Sequence, residues 1–181
     1  MGNEFGEDFC AIFDGQSLTT STGGPFLPGQ IVIHKSGTNR AQKAFLKWVK
    51  LDNRGCSRGE ALVTDFAQTE ESGVTVASTT DGYLPHFRGV AAATIASNAY
   101  GFSIISGYAE QVDCSETCAS GEQLAISGST AGKMTPNRAS SFWTATVGVS
   151  SALGSAPFVF GIARGAFATG VGSANILGFW G

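Results

Sequence analysis

The stretch "CASGEQLA" (residues 118–125) is central to the fold, because the chain contains a second version of it, "CSRGEALV" (residues 56–63). Both contain a Cys, two residues, Gly-Glu, one residue and a Leu. Glycine adopts turn dihedrals that other residues avoid, and a short apolar run bounded by turn residues is typical of a strand. We therefore expect a turn and then a strand in each copy, with Glu60 and Glu122 at the turn edge in solvent.

A second pair of similar segments supports duplicated β-modules. "FRGVA" (87–91) resembles "VFGIA" (159–163), and small residues follow both. The sequence thus predicts an internal pseudo-repeat of about residues 30–86 and 87–181. The alternative is that the two glutamates form a carboxylate pair for glycoside hydrolysis. Cleft aromatics would be expected near such a pair, but the tryptophans lie elsewhere in the sequence, at Trp48, Trp143 and Trp180.

Composition favours a mainly β protein, either a compact β-sandwich or a distorted β-barrel built from two related modules. The chain has 25 glycines and is 43% apolar, and its apolar runs are brief and end at turn residues. One segment, "KAFLKWVKLD" (43–52), fits either an amphipathic helix or an alternating strand. The predicted core residues are Leu62, Val63, Ile104, Leu124, Ile126, Ile162 and Ile176.

Residues 1–28 are expected to form an extended N-terminal arm, and residues 29–181 the β-domain. The arm carries apolar anchors at Phe5, Phe9, Phe13 and Phe26, and residues 16–28 are rich in Ser, Thr, Gly and Pro. Residues 1–30 contain four acids and no Lys or Arg. In an assembly, such an arm reaches a neighbouring subunit and buries its aromatic side chains there.

A basic module follows the arm. Residues 31–60 carry seven Lys or Arg against two acids, a sum of +5, although the whole chain is −3. We take this module as the candidate counterpart of the acidic arm in an assembly; the alternative is that these are solvated surface charges. An aromatic-studded basic stretch also suits nucleic acid, but the pI near 5.3 argues against it, and no nucleic-acid partner is expected. The candidate interface residues here are Lys43, Lys47, Lys50, Arg54 and Arg58.

The other chemical motifs are sparse. The chain has no GxSxG, HExxH, GxxxxGK[ST] or strand-to-helix GxGxxG motif, so no catalytic residue, cofactor or enzyme activity is predicted. Cys114 and Cys118 form a lone CxxxC, whereas structural zinc takes four ligands, so we expect free thiols and no metal. No signal peptide or apolar run of membrane-spanning length is visible, so no membrane partner is expected either.

One family resemblance bears on function. "GVAAATIASNAYGFSIISGYAEQV" (89–112) and "FVFGIARGAFATGVGSANILGFW" (158–180) resemble the capsid decoration, or cement, proteins of tailed bacteriophages. The similarity lies in a Tyr-Gly-aromatic strand that runs into an Ile-Ser-Gly turn, a later Thr-Ala-Gly-Lys turn and a final apolar strand, and it covers roughly residues 30–181. The arm at 1–28 and the insertion at 138–157 depart from it.

The resemblance implies a structural virion protein without catalytic residues. Such a protein is made in the host cytoplasm, binds the major capsid protein on the outer capsid surface and forms a homotrimer. Charged residues make up only 14% of the chain, well below the roughly 25% of an average soluble domain, which is typical of a surface partly covered by other chains. The alternatives are another virion module, from a tail or fibre base, and a small carbohydrate-binding or enzymatic β-domain.

Overall fold

The computed structural model describes residues 26–36, 42–68, 73–79, 86–137, 159–167 and 170–178, and in these ranges the chain is built of strands and turns without a helix. The prediction of a mainly β fold is confirmed. Ten strands are hydrogen-bonded into one large sheet that partly closes on itself. They are β1 Ile31–Ser36, β2 Gln42–Leu51, β3 Ala61–Thr64, β4 Gly73–Val76, β5 Phe87–Ala91, β6 Tyr100–Asp113, β7 Gln123–Ile126, β8 Met134–Pro136, β9 Gly161–Ala163 and β10 Val171–Ile176.

The segment that fitted either a helix or a strand is strand β2. Ala44, Leu46 and Trp48 are buried on one face, whereas Lys43 and Phe45 on the other face are exposed or half-buried. This period of two is that of a strand with one face on the core. Pairing with both β1 and β6 supplies the backbone bonds that an isolated helix would have made internally.

Strand pairing closes a first ring of five strands. β2 pairs with β4 in parallel, β4 with β3, β3 with β5, β5 with β6, and β6 with β2 again. Because the ring is closed, each of these strands pairs with a neighbour on both sides along part of its length. A separate apolar cluster fills its inside: Val49, Leu51, Cys56, Leu62, Val74, Val76, Ala91, Ile95 and Ala99.

A second ring continues from the same long strand. Beyond Gly107, β6 pairs with β10, which leads through β9 and β7 to β8. A parallel bridge between Cys114 and Met134 joins β8 to the end of β6, just as β4 joins β2 in parallel in the first ring. The two rings therefore share β6, with its first half in one ring and its second half in the other.

The backbone bonds of the two rings match one another. In the first ring the amides of Gly59, Ala91, Leu51 and Asp52 donate to the carbonyls of Ala91, Glu60, Ala99 and Val74, respectively. In the second ring the amides of Gly121, Ala163, Cys114 and Ser115 donate to those of Ala163, Glu122, Gly170 and Met134. These matched bonds place the junction of the repeat inside β6 near Gly107. The boundary near residues 86 and 87 stays a prediction, and the pairing of β3 with β5 crosses it.

The buried residues follow the prediction with one exception. Leu62, Val63, Ile104, Leu124, Ile126 and Ile176 are buried. Ile162 is only half-buried, so its assignment to the core is wrong. It pairs with Gln123 and Asn175, which are both exposed, and so it lies on the outer face of the second ring. No strand was predicted at β8. Proline is tolerated at its end because, among the described strands, Pro136 pairs only with Leu124 of β7, whereas Met134 makes the bridge to Cys114.

Candidate interaction surfaces

The two Gly-Glu turns have the same geometry. The Ser57 amide donates to Glu60 Oε2 at 2.7 Å, and the Ala119 amide donates to Glu122 Oε2 at 2.6 Å. Both glutamates are half-buried, so the expectation that they lie simply in solvent is wrong. Each carboxylate accepts a bond from the backbone of its own turn, which gives both glutamates a structural role.

The glycines of these turns differ in their surroundings. Gly59 and Gly121 have φ angles of +92° and +85°, which favour glycine. A Cβ on Gly59 would lie 2.7 Å from Asp113 Oδ1, whereas a Cβ on Gly121 would meet nothing within 4 Å. The first turn is therefore covered by the shared strand, and the second turn is open.

Asp113 is a carboxylate that the sequence reasoning missed. Its amide donates to the Gly59 carbonyl at 2.9 Å, and its Oδ1 is buried without a hydrogen-bond partner among the described residues. Burial raises the pKa of this carboxyl, and a hydrogen bond from Gln111 and the charge of Lys133 oppose that rise. No sequence signal marks it, since its burial depends on contact between the end of β6 and a turn more than fifty residues earlier.

The cysteines in the described ranges, Cys56, Cys114 and Cys118, are buried free thiols. The Sγ atoms of Cys118 and Cys114 lie 3.5 Å apart. Burial raises the pKa of Cys56 to about 11 and that of Cys114 far above its usual range. No group of three or more His, Cys, Asp or Glu side chains placed to hold a metal occurs within these ranges. Cys10 lies outside them.

The predicted basic residues do not form one surface. Lys43 is exposed and Lys47 half-buried on one face of β2, whereas the Lys50 Nζ lies 5.7 Å from the Tyr100 ring centroid on the other face. Arg54 is exposed in the turn after β2. Arg58 makes a 2.7 Å ion pair with Glu110 of its own chain. Their role in an interface stays a prediction, and the geometry separates Lys43 and Lys47 from the other three.

The predicted aromatic anchors are divided in the same way. Phe26 packs on its own domain, with its ring centroid 5.3 Å from that of Trp48 and 5.0 Å from that of Phe102. Its own domain thus provides the packing that we expected from a neighbouring subunit. Phe5, Phe9 and Phe13 lie outside the described residues, as does the insertion at 138–157.

An apolar and basic surface covers the side of β1 and β2 away from Phe26. The register places Ile31 beside Lys47 and Ile33 beside Phe45. Lys43 lies two residues before Phe45 on β2, and therefore on the same face. Ile31 and Ile33 are 44% and 54% exposed. We call these five residues the outer β1–β2 face. The sequence had pointed to its lysines, but not to the isoleucines beside them.

Other large apolar side chains are exposed elsewhere. Phe66, in the turn after β3, is 77% exposed and contacts His86 edge-to-face at 5.3 Å between ring centroids. Val171, the first residue of β10, is 52% exposed, and Leu177, directly after this strand, is 36% exposed. The molecule therefore presents more than one apolar surface site, and these sites lie on different strands and turns.

No helix in the described part of the chain is long and apolar enough to cross a membrane. Comparison with known proteins adds no family: no protein-family model matches the chain, and no curated protein is significantly similar to it.

Proposed function

We propose that this protein is a structural virion protein that binds and strengthens the outer surface of a phage capsid. The resemblance of residues 30–181 to decoration proteins supports this proposal, and so does the low charged fraction of 14%. Under this proposal the chain is made in the host cytoplasm, assembles as a homotrimer and has the major capsid protein as its partner.

The observation that carries the proposal is the separation of the exposed apolar residues into distinct groups. Ile31 and Ile33 belong to the outer β1–β2 face, whereas Phe66, Val171 and Leu177 lie on other elements. Contiguous exposed apolar patches mark interaction sites, whereas single exposed apolar side chains are normal on protein surfaces. The outer β1–β2 face is such a patch, and Phe66, Val171 and Leu177 are single candidate contacts. A protein that joins capsid subunits needs one surface for its own copies and another for the shell, and a chain with several apolar sites meets that need.

The mechanism is clamping by many weak contacts. Each decoration protein that bridges two capsid subunits adds buried area, which must be separated before the shell opens under the pressure of packaged DNA. Because the copies in a trimer are linked, each further contact forms at a high effective concentration. Modest apolar contacts by single side chains, worth about 1.5–3 kcal/mol when fully buried, thereby add up to a stable attachment.

Copy number on the particle tests the function most directly. We expect quantitative mass spectrometry of purified virions to find this chain in numbers comparable to the major capsid protein. A few copies per particle would instead indicate a tail or fibre-base module. Absence from the particle would contradict the proposal, and would favour a carbohydrate-binding or enzymatic domain.

A matched pair of variants tests the capsid contact. Phe66→Asp places a charge on the most exposed aromatic of the described chain, and Ala67→Asp places the same charge on the neighbouring exposed residue. We expect the first variant to bind undecorated capsids more weakly and to give particles of lower heat resistance, and the second to behave as the wild type. Equal binding by both variants would remove Phe66 from the contact.

A further inference from the structure

We infer that the outer β1–β2 face binds the acidic N-terminal segment, residues 1–25, of a second copy of this chain. This inference goes beyond the proposed function, because self-association through the arm needs no capsid.

The outer β1–β2 face exposes enough apolar surface to favour its burial by another segment. Ile31 and Ile33 expose about half of their surface, and Phe45 lies between the lysines on the neighbouring strand. Burying an aliphatic or aromatic side chain of this size stabilises a complex by about 1.5–3 kcal/mol relative to leaving it exposed. The segment 1–25 can provide matching apolar groups, since Phe5, Phe9 and Phe13 are spaced along it.

A strand edge borders the face. Among the described strands, β1 pairs only with β2 and lies at one end of the sheet order. An edge strand of this kind, 6 residues long and without proline, is a template for an extended segment from another chain. Backbone bonds along the edge would position the incoming segment, and the apolar side chains of the face would supply pockets for its aromatics.

Charge selects the kind of occupant. Lys43 and Lys47 lie on the face, and neither β1 nor β2 contains an Asp or Glu. Two such faces placed against each other would bring like charges together, which destabilises a contact. The segment 1–25 is complementary instead: it carries Glu4, Glu7, Asp8 and Asp14 and no Lys or Arg.

The position of Phe26 favours the segment of another copy. Phe26 packs on Trp48 and Phe102, on the side of the sheet opposite to Ile31 and Ile33. The chain therefore enters the domain on the covered side, and its own segment 1–25 would have to pass around the β1 edge to reach the face. The segment of a neighbour meets no such constraint.

Isotope-mixed cross-linking distinguishes the two origins. Full-length protein with natural isotopes and full-length ¹⁵N-labelled protein are mixed, incubated to allow exchange and treated with a carbodiimide, which joins lysine amines to nearby carboxylates with loss of water. We expect Lys43 to be linked to the carboxylates of residues 1–25, with mixed-label pairs about as frequent as same-label pairs. Same-label pairs alone, or no link between Lys43 and this segment, would overturn the inference.

A charge reversal and its control complete the test. Lys43→Glu should weaken self-association about tenfold in sedimentation velocity, and the wild-type association should weaken as salt rises. Arg54→Glu reverses the same charge in an exposed turn off the face and should associate as the wild type does. Reversing the acids in Lys43→Glu protein, as Glu4→Lys and Glu7→Lys, should restore association. Equal association by the Lys43→Glu and Arg54→Glu proteins would overturn the inference, and thermal unfolding checks that each variant is folded.

Discussion

The two rings have equivalent backbone hydrogen bonds, but different side chains fill their interiors. Where the first ring has Leu51 and Val74, the matched bonds place Cys114 and Met134 in the second. The bridge from Cys56 to Ile95 corresponds to the bridge from Cys118 to Phe167. Aliphatic packing in one copy is thus replaced by sulfur and an aromatic ring in the other. The comparison shows that the turn and ladder bonds define the module, and that its core can be filled in more than one way.

In each ring a glycine lies directly against the bridged side chain, Ile95 in the first ring and Phe167 in the second. A Cβ on Gly101 would lie 2.6 Å from Ile95 Cδ1, and a Cβ on Gly172 would overlap the Phe167 ring. The need for glycine at these two positions comes from space, because neither has a positive φ. Each pair therefore acts as one packing unit, in which the large side chain occupies the space that a side chain at the glycine position would need.

The largest expected effect comes from breaking this unit in the second ring. Phe167→Ala should lower the free energy of unfolding by about 3–5 kcal/mol, and Gly172→Ala should lower it by about 1–3 kcal/mol through overpacking. In the double variant the new methyl group enters space left by the ring, so the combined loss should be smaller than the sum. Urea denaturation of the four proteins measures this coupling. Strictly additive losses would show that the two positions do not share packing space.

The two turn glycines give a smaller and unequal effect. Gly121→Ala should cost about 1–2 kcal/mol, because alanine is strained at positive φ and the position is otherwise open. Gly59→Ala carries the same strain and also presses a methyl group against the Asp113 carboxylate, so its loss should be larger by about 1 kcal/mol or more. Thermal unfolding of both variants checks the order. Equal losses would mean that Asp113 moves away without cost.

Alkaline pH should destabilise the fold through its buried thiols. The pKa of Cys56 is raised to about 11 by burial, above the value of about 8.5 for an exposed thiol. The folded state therefore holds this proton more tightly than the unfolded state does. The resulting stabilisation is complete below the pKa of the thiol in the unfolded protein, and it is lost as pH rises through the pKa of the thiol in the folded protein. Stability should fall by at most about 1.4 kcal/mol per pH unit for each such thiol.

Denaturation at pH 8 and pH 10.5 measures that loss, with Cys56→Ala as the matched control. This variant should lose part of the pH dependence and keep the contribution of Cys114, whose pKa burial also raises. An unchanged pH dependence in Cys56→Ala would contradict the assignment to this thiol.

The smallest expected effect is in the paired glutamates. Glu60→Ala and Glu122→Ala each remove one charge-assisted bond to a turn amide, and each should cost about 1 kcal/mol because the turns are partly exposed. The two losses should agree within a few tenths of a kcal/mol if the turns are equivalent. A loss for only one glutamate, seen in chemical denaturation, would limit the matched geometry to the backbone.

The sequence alone determined the features that depend on near neighbours along the chain. The repeated turn could be predicted because glycine dihedrals and the Gly-Glu spacing act within a few residues. The mainly β class and most of the core followed from short apolar runs and their alternation. For the candidate surface, the sequence indicated Lys43 and Lys47 by their charge, but grouped them with Lys50, Arg54 and Arg58.

Tertiary structure decided everything that depends on which strands become neighbours. Sharing of β6 by two rings, the strand at Pro136, the outward position of Ile162 and the burial of the Asp113 Oδ1 atom all follow from pairing between segments distant in sequence. A register shift of one residue moves a side chain to the opposite face of a sheet. The observed register places Ile33 beside Phe45, and tertiary packing directs Phe26 to its own core. The strand conformation of β2, which the sequence left open against a helix, puts Lys50 on the face opposite to Lys47.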